Sequence, residues 1–254
     1  MKPNTVKQAL REGRVQLGTG FWQLRSEDAL RTLAAAGFDW AFIDTEHGNF
    51  SIETIQDLTR IAVRTGISPI IRVAELQYSL VARALDCGAE GIIFPRVEEP
   101  ALLEKAVSWT KFPPVGVRGC GIGAFNYDFE PVSIPQIIEH ANAHSMVVLQ
   151  IETKRAFEAC DELLSVPNID AVMVGPVDLS ISLGIPGEFD NPLLISIIEQ
   201  VVECCLRRGI APGIQNRDLK MARFWRDHGM LFLGCSNETT MLYDRAREIT
   251  SALR

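Results

Sequence analysis

The chain has 254 residues, 47% of them hydrophobic, with a formal net charge of −7. Acidic and basic residues are interspersed, so no basic block points to nucleic acid or to an anionic membrane. The N-terminal stretch MKPNTVKQALREGR is charged and lacks the apolar core of a leader, no apolar run is long enough to span a bilayer, and the six cysteines show no CxxC spacing, so a reduced, cytoplasmic protein is expected.

After an N-terminal helix, VQLGTGFW reads as a short strand, and SEDALRTLAAAG as a helix capped by Ser26 and stopped at Gly37. An apolar strand at 40–43 breaks into Asp44, Thr45, Glu46 and His47, and the capped helix SIETIQDLTRIAVRTG follows. SPIIRVAE is a strand ending at Arg72, 78–87 is a helix, GAEGIIFPRV is a fourth strand closed by Pro95 and Arg96, and 100–109 is a helix. FPPVGVRGCGIGAFNYDFEPVS then interrupts the alternation; a glycine-rich segment of this length inside a compact fold is usually a functional loop. A helix at 134–144, the strand VVLQIE, a helix at 154–165, the strand NIDAVMVG and a short helix at 177–183 follow. The link GIPGEFDNP leads to a helix at 193–208, the strand APGIQ, a helix at 217–227, the strand MLFLG and a closing helix at 238–253. About eight β-α units without a low-complexity linker predict one (β/α)8 TIM barrel over residues 1–254, in preference to a doubly wound sheet.

In such a barrel, polar residues at strand C-termini converge on one mouth. Glu152 ends the fifth strand beside Gln150, and Asp178 follows the sixth. Either carboxylate alone could simply cap the next helix; the pair suits a hard divalent cation such as Mg²⁺ or Mn²⁺, with a chelating substrate such as an α-keto acid completing the shell. Arg72 is placed to stabilise negative charge on an enolate oxygen, and His47 to move a proton, with Asp44 or Glu46 fixing its tautomer. The loop's Gly119-x-Gly121-x-x-Ala124 matches a dinucleotide fingerprint only formally, because no βαβ unit surrounds it; a wall of the mouth is expected, with Arg118 facing a substrate carboxylate or the neighbouring loop. His140 and His144 lie four apart on a helix outside the barrel and read as a solvated face, and Cys204 and Cys205 as packing residues. No lysine stands at a strand end near the carboxylates, which disfavours an imine route.

The segments AGFDWAFIDTEHG, PIIRV, GIIFPRV, FPPVGVRGCG, VVLQIET, VGPVDLS and APGI resemble, in order and over nearly the whole chain, the HpcH/HpaI family of class II, metal-dependent pyruvate aldolases. The resemblance implies a (β/α)8 barrel of the pyruvate/phosphoenolpyruvate type, assembled as a homohexamer whose C-terminal helices pack on neighbouring subunits. It implies a divalent metal (Mg²⁺, Mn²⁺ or Co²⁺) on Glu152 and Asp178, and His47 as a base acting through water with Asp44 as its support. It implies Arg72 steadying the enolate, and Gln150, Gly175 and Val177 around the bound pyruvate. Asp86 matches an aspartate given to the neighbour's site, and the family's tryptophan falls at Phe21 or Trp22. The segments GIQNRD and GIGAFNYDFE differ from the best-known members, so the aldehyde is open. The expected reaction cleaves a 4-hydroxy-2-oxo acid to pyruvate and an aldehyde. A citrate-lyase or malyl-CoA type lyase, or a decarboxylase, is the alternative, and a non-catalytic keto-acid-binding barrel a further one.

Overall fold

The computed structural model describes the whole chain except Ile122 and Asp128 and the side chains of Ala124 and Phe125. Eight parallel strands close into a barrel in sequence order: β1 Gln16–Phe21, β2 Trp40–Asp44, β3 Ser68–Arg72, β4 Gly91–Phe94, β5 Met146–Ile151, β6 Ala171–Val174, β7 Gly213–Asn216 and β8 Phe232–Asn237. The helices between them are α1 Thr5–Arg11, α2 Glu27–Ala35, α3 Ile52–Thr65, α4 Tyr78–Cys87, α5 Pro100–Ser108, α6 Ile134–His144, α7 Lys154–Glu158, α8 Cys160–Leu163, α9 Pro176–Ser182, α10 Pro192–Arg207, α11 Leu219–Asp227 and α12 Glu238–Leu253. The expected (β/α)8 barrel is what forms.

Strand alternation splits the core in two. Trp40, Phe42, Ile70, Ile93, Val148 and Met173 point into the barrel, while Ile43, Ile71, Leu149 and Val172 pack outward against the helices. Near the strand N-termini the Trp40 and Phe232 rings stack with centroids 3.8 Å apart. Glycine makes room for them: a Cβ on Gly18 would lie 2.0 Å from the indole. Below this layer, Val6 and Leu10 of α1 join the same inner cluster and close the floor.

Two elements differ from expectation. The helix at 154–165 is broken at Ala159, where ψ of 9° ends α7 and starts α8; no glycine or proline marks the break. α12 meets the barrel at β8 and β1, with Glu238 as its buried residue, and leaves Leu242, Tyr243 and Leu253 at 63, 60 and 83% exposure. Leu17, on the outward face of β1, is 47% exposed on the wall that a closing helix ordinarily covers. Among the described residues, no helix is long and apolar enough to cross a membrane.

Candidate active site

The DTEHG break after β2 is a tight turn. A Cβ at Gly48 would sit 2.1 Å from the Asp44 carbonyl oxygen, so only glycine lets the chain fold back there. Asp44 Oδ1 accepts the backbone N–H groups of Glu46 (2.9 Å) and His47 (3.3 Å), which fixes the turn, and leaves the His47 side chain exposed at the rim. β2 and β3 pair in a register that sets Asp44 beside Arg72. Both side chains point inward, and the guanidinium grips the carboxylate with two hydrogen bonds, Nε to Oδ1 at 2.9 Å and Nη2 to Oδ2 at 2.7 Å. Glu46 Oε2 stands 3.2 Å from Nη1, off the N–H direction and without a hydrogen bond of its own among the described residues. Burial opposes the Arg72 charge, but Asp44 and Glu46 outweigh it and hold the guanidinium pKa above its ordinary value.

Here the expected role of Asp44 shifts. Among the described residues its carboxylate touches the His47 backbone rather than the imidazole, and its main partner is Arg72.

Across the mouth, Arg72 Nη1 reaches Gln150 Oε1 at 3.5 Å, and Gln150 Nε2 donates to Glu152 Oε2. The other Glu152 oxygen accepts the backbone N–H of Arg96 at 3.0 Å. Arg96 holds φ at 54°, an uncommon conformation for a side-chain-bearing residue, and it turns this N–H toward the carboxylate. Glu152 is 2% exposed. Burial pushes its carboxyl up to about 7, opposed by Arg72 and reinforced by Asp178 and Glu46. Asp178 lies in the first turn of α9 rather than at the strand end, since α9 already starts at Pro176. The α9 N-cap is Gly175, and a Cβ there would come within 3.1 Å of Glu152 Oε2 and Gln150 Nε2. On the opposite side, Trp22 meets Phe42 edge-on at 6.4 Å, and Arg72 lies 5.0 Å over the same phenylalanine ring. The Trp22 indole N–H is buried without a partner among the described residues.

The geometry thus joins Asp44, Arg72, Gln150, Glu152 and Gly175 and places Asp178 beside them. It corrects Arg118. That residue is 5% exposed, pairs with Asp86 at 2.8 Å near the C-terminal end of α4, and stacks 4.7 Å over Phe112. This is the strand N-terminal end of the barrel, remote from the chain's own mouth. The cause is the path of the long loop, which leaves α5 at the floor and runs along α4: Gly119 N–H donates to the Tyr78 hydroxyl, and Asn126 Nδ2 to the Asp86 carbonyl. Positions 122 and 128 of that loop lie outside the described residues. His140 and His144 are corrected too. They are partly buried with rings 4.3 Å apart, because the first residues of the chain pack over α6 and Asn4 N–H donates to His144 Nδ1 at 3.3 Å.

Glu238 was not singled out from the sequence. It is 5% exposed, and its Oε1 accepts three successive N–H groups, Trp22, Gln23 and Leu24, at 2.8, 2.6 and 3.1 Å. It sets the turn that carries Trp22 into the mouth. At the start of a helix a glutamate reads as an ordinary first-turn acid, so nothing local signals this role.

A closed parallel barrel with an arginine, a histidine and buried carboxylates at its strand C-termini defines a (β/α)8-barrel enzyme. The family model described as HpcH/HpaI aldolase/citrate lyase matches residues 19–243, and the chain belongs to that family of carbon–carbon lyases. A 4-hydroxy-2-oxo-heptane-1,7-dioate aldolase of Escherichia coli is 32% identical over 250 residues, covering 98% of this chain and 94% of that protein. The crystal structure of an HpcH/HpaI aldolase from Desulfitobacterium hafniense DCB-2 superposes with a TM-score of 0.92 at 30% identity, covering 97% of this chain and 95% of that one. The citrate synthase SbnG superposes with a TM-score of 0.85 at 26% identity, covering 97% of this chain and 96% of that one.

Proposed function

We propose that the protein is a divalent-cation-dependent aldolase that reversibly cleaves a 4-hydroxy-2-oxo acid to pyruvate and an aldehyde. The observation that carries this reading is the buried run from Arg72 through Gln150 to Glu152, beside Asp178. The two carboxylates fit a cation. Burial makes an ionised Glu152 costly on its own, Asp178 adds like charge, and Gly175 leaves open the space that a Cβ would take. Glu152 and Asp178 would hold Mg²⁺, Mn²⁺ or Co²⁺, which when bound supplies a Lewis acid for the carboxylate and keto oxygens of the substrate.

The chain's own groups do the rest. Arg72, held by Asp44, presents fixed positive charge to the C2 oxygen as the C3–C4 bond breaks and negative charge grows there. His47, exposed at the rim, takes the C4 hydroxyl proton through a water molecule. Gln150, Gly175 and Val177 bound the keto acid, and Trp22 walls the aldehyde side. Asp86, with Arg118 bound to it, faces away from its own mouth, which supports a role at a neighbouring subunit's site. The exposed apolar face of α12 together with the uncovered Leu17 supports exchange of this helix between subunits of a homohexamer.

The likeness to a citrate synthase favours one second reading, carbon–carbon bond formation on an acidic keto substrate such as oxaloacetate. A lactate-dehydrogenase-coupled assay separates the two. A panel of 4-hydroxy-2-oxo acids, including the heptanedioate, should release pyruvate with Mn²⁺ and not with EDTA. Pyruvate from none of them, with incorporation of pyruvate or oxaloacetate into a larger acid instead, would sink the aldolase reading.

A further inference from the structure

Residues 22–24 leave the end of β1 as an irregular turn, with Gln23 exposed and Trp22 and Leu24 half-buried. Its three backbone N–H groups all end on one atom, Glu238 Oε1, at 2.8, 2.6 and 3.1 Å. Successive N–H groups that converge in this way form a nest for an anion. The carboxylate is 5% exposed and has no cationic side chain within ion-pair distance among the described residues. Its charge is offset by the nest and by the first turn of α12, in which it lies. Oε2 is buried and has no hydrogen bond among the described residues, so every polar contact of this side chain serves the Trp22 turn.

The Trp22 ring has no polar anchor of its own, since Nε1 finds no partner among the described residues. The indole folds back over β1, where a Cβ at Gly20 would meet Nε1 at 2.8 Å, and its edge meets Phe42. Its place is therefore set by its backbone, and that backbone is set by Glu238. Neighbouring parts of the mouth are fastened differently. The turn after β2 has its clamp in Asp44, which also grips Arg72, and Glu152 is held by the Arg96 N–H and by Gln150. Glu238 makes none of these contacts.

We propose that Glu238 is a positioning residue for the aldehyde half of the reaction, holding the Trp22 indole against the mouth, with the keto-acid half independent of it. This rests on the aldolase reading above, in which Trp22 walls the aldehyde side. The hold depends on charge as well as shape. Glu238→Gln keeps the size of the side chain but offers the three N–H groups a neutral oxygen, and it puts an amide N–H where Oε2 now lies.

Two reactions separate the halves. Exchange of the pyruvate methyl protons for solvent deuterium, followed by proton NMR with Mg²⁺, needs the keto-acid half and no aldehyde. Condensation of pyruvate with 4-oxobutanoate, the aldehyde half of the heptanedioate, needs both. In Glu238→Gln the exchange rate should stay within about twofold of the parent, while KM for 4-oxobutanoate rises about tenfold or more. An unchanged KM, or an equal loss in both reactions, overturns the proposal. A second readout does not depend on turnover. The chain has four tryptophans, so protein labelled with 5-fluorotryptophan gives four fluorine resonances, and Trp22→Phe assigns the one from Trp22. In Glu238→Gln that resonance should shift or broaden while those of Trp40, Trp109 and Trp225 stay in place; an unmoved Trp22 resonance also overturns the proposal. If the parent catalyses neither exchange nor condensation, the aldolase reading fails, and the fluorine result alone upholds or rejects Glu238 as the residue that places Trp22. Should Glu238→Gln fail to fold, Glu238→Asp, which keeps the charge one methylene short of the nest, is judged by the same resonance.

Discussion

Arg72 and Asp44 are joined by a two-pronged ion pair whose side chains are 7% and 1% exposed, on the facing ends of β3 and β2. The pair is directional. Arg72 is held so that its remaining edge faces Gln150 and, beyond it, Glu152. Removing Arg72 strips the cation from three buried or half-buried carboxylates, so Arg72→Ala should cost about 3 kcal/mol of stability in urea unfolding. It should also lower kcat by about 10²–10³-fold. Arg72→Lys keeps the charge but loses the fork, and should recover stability more than turnover. Full turnover in Arg72→Ala would remove it from the mechanism.

Glu152 ties cation binding to pH. The folded protein keeps this proton up to about 7, whereas the unfolded chain releases it near the ordinary 4.5. Between those values the folded state holds more protons, so this group's contribution is full below 4.5 and fades as pH rises through 7. A cation needs the ionised form and acts in the opposite sense. The gain in Tm from Mn²⁺ over EDTA should therefore grow between about pH 6 and 8. A gain that is flat across that interval contradicts Glu152 as a ligand.

At Gly175 the margin is a few tenths of an ångström. A methyl group there would lie 3.0 Å from Glu152 Cβ and 3.1 Å from the Glu152 Oε2 and Gln150 Nε2 atoms. Gly175→Ala should lower Mn²⁺ affinity about tenfold by moving the carboxylate, while costing only about 1 kcal/mol in the metal-free fold. Calorimetric titration with Mn²⁺ checks the first and urea unfolding the second.

How much of this was legible depended on whether the cause was local. The strand ends at Asp44 and Arg72 show in the sequence because an apolar run breaks into charge, and α4 appears at Tyr78–Cys87 as its pattern predicts. Asp178 falls at the start of the short helix expected at 177–183, which Pro176 begins one residue earlier. Arg118, His140 and His144 went astray for one shared reason. The route of a long loop and of the chain's first residues over the floor is a tertiary outcome that no local spacing encodes. Glu238 accepts backbone N–H groups of a distant turn and Arg96 donates its own to a distant carboxylate, and those alignments exist only once the barrel has closed.

Under the floor, Lys111 should make stability climb in alkali. Burial, with Lys7 adding to it, lowers its pKa from 10.5 to about 7, so the unfolded chain takes up a proton that the folded protein has lost between those values. Stability from this group is therefore lowest below 7 and rises toward 10.5. Unfolding free energy measured at pH 7 and pH 9 should increase in the parent, and less steeply in Lys111→Met.

For α12, Leu242→Glu with Ile249→Glu changes two side chains that are 63% and 46% exposed in the single chain. The change should shift each folded subunit's stability by no more than about 0.5 kcal/mol, yet break a larger assembly into smaller ones. Light scattering reads the mass directly. An unchanged mass would mean that this face is solvated.

The stacked Trp40 and Phe232 rings, both without exposed surface, have a consequence for traffic through the enzyme. They fill the barrel beneath the mouth, so no passage leads from Arg72 and Glu152 to the opposite face among the described residues. Under the proposed function, a keto acid held against those two residues would leave by the strand C-terminal side, past the position of the aldehyde, and pyruvate would be released last.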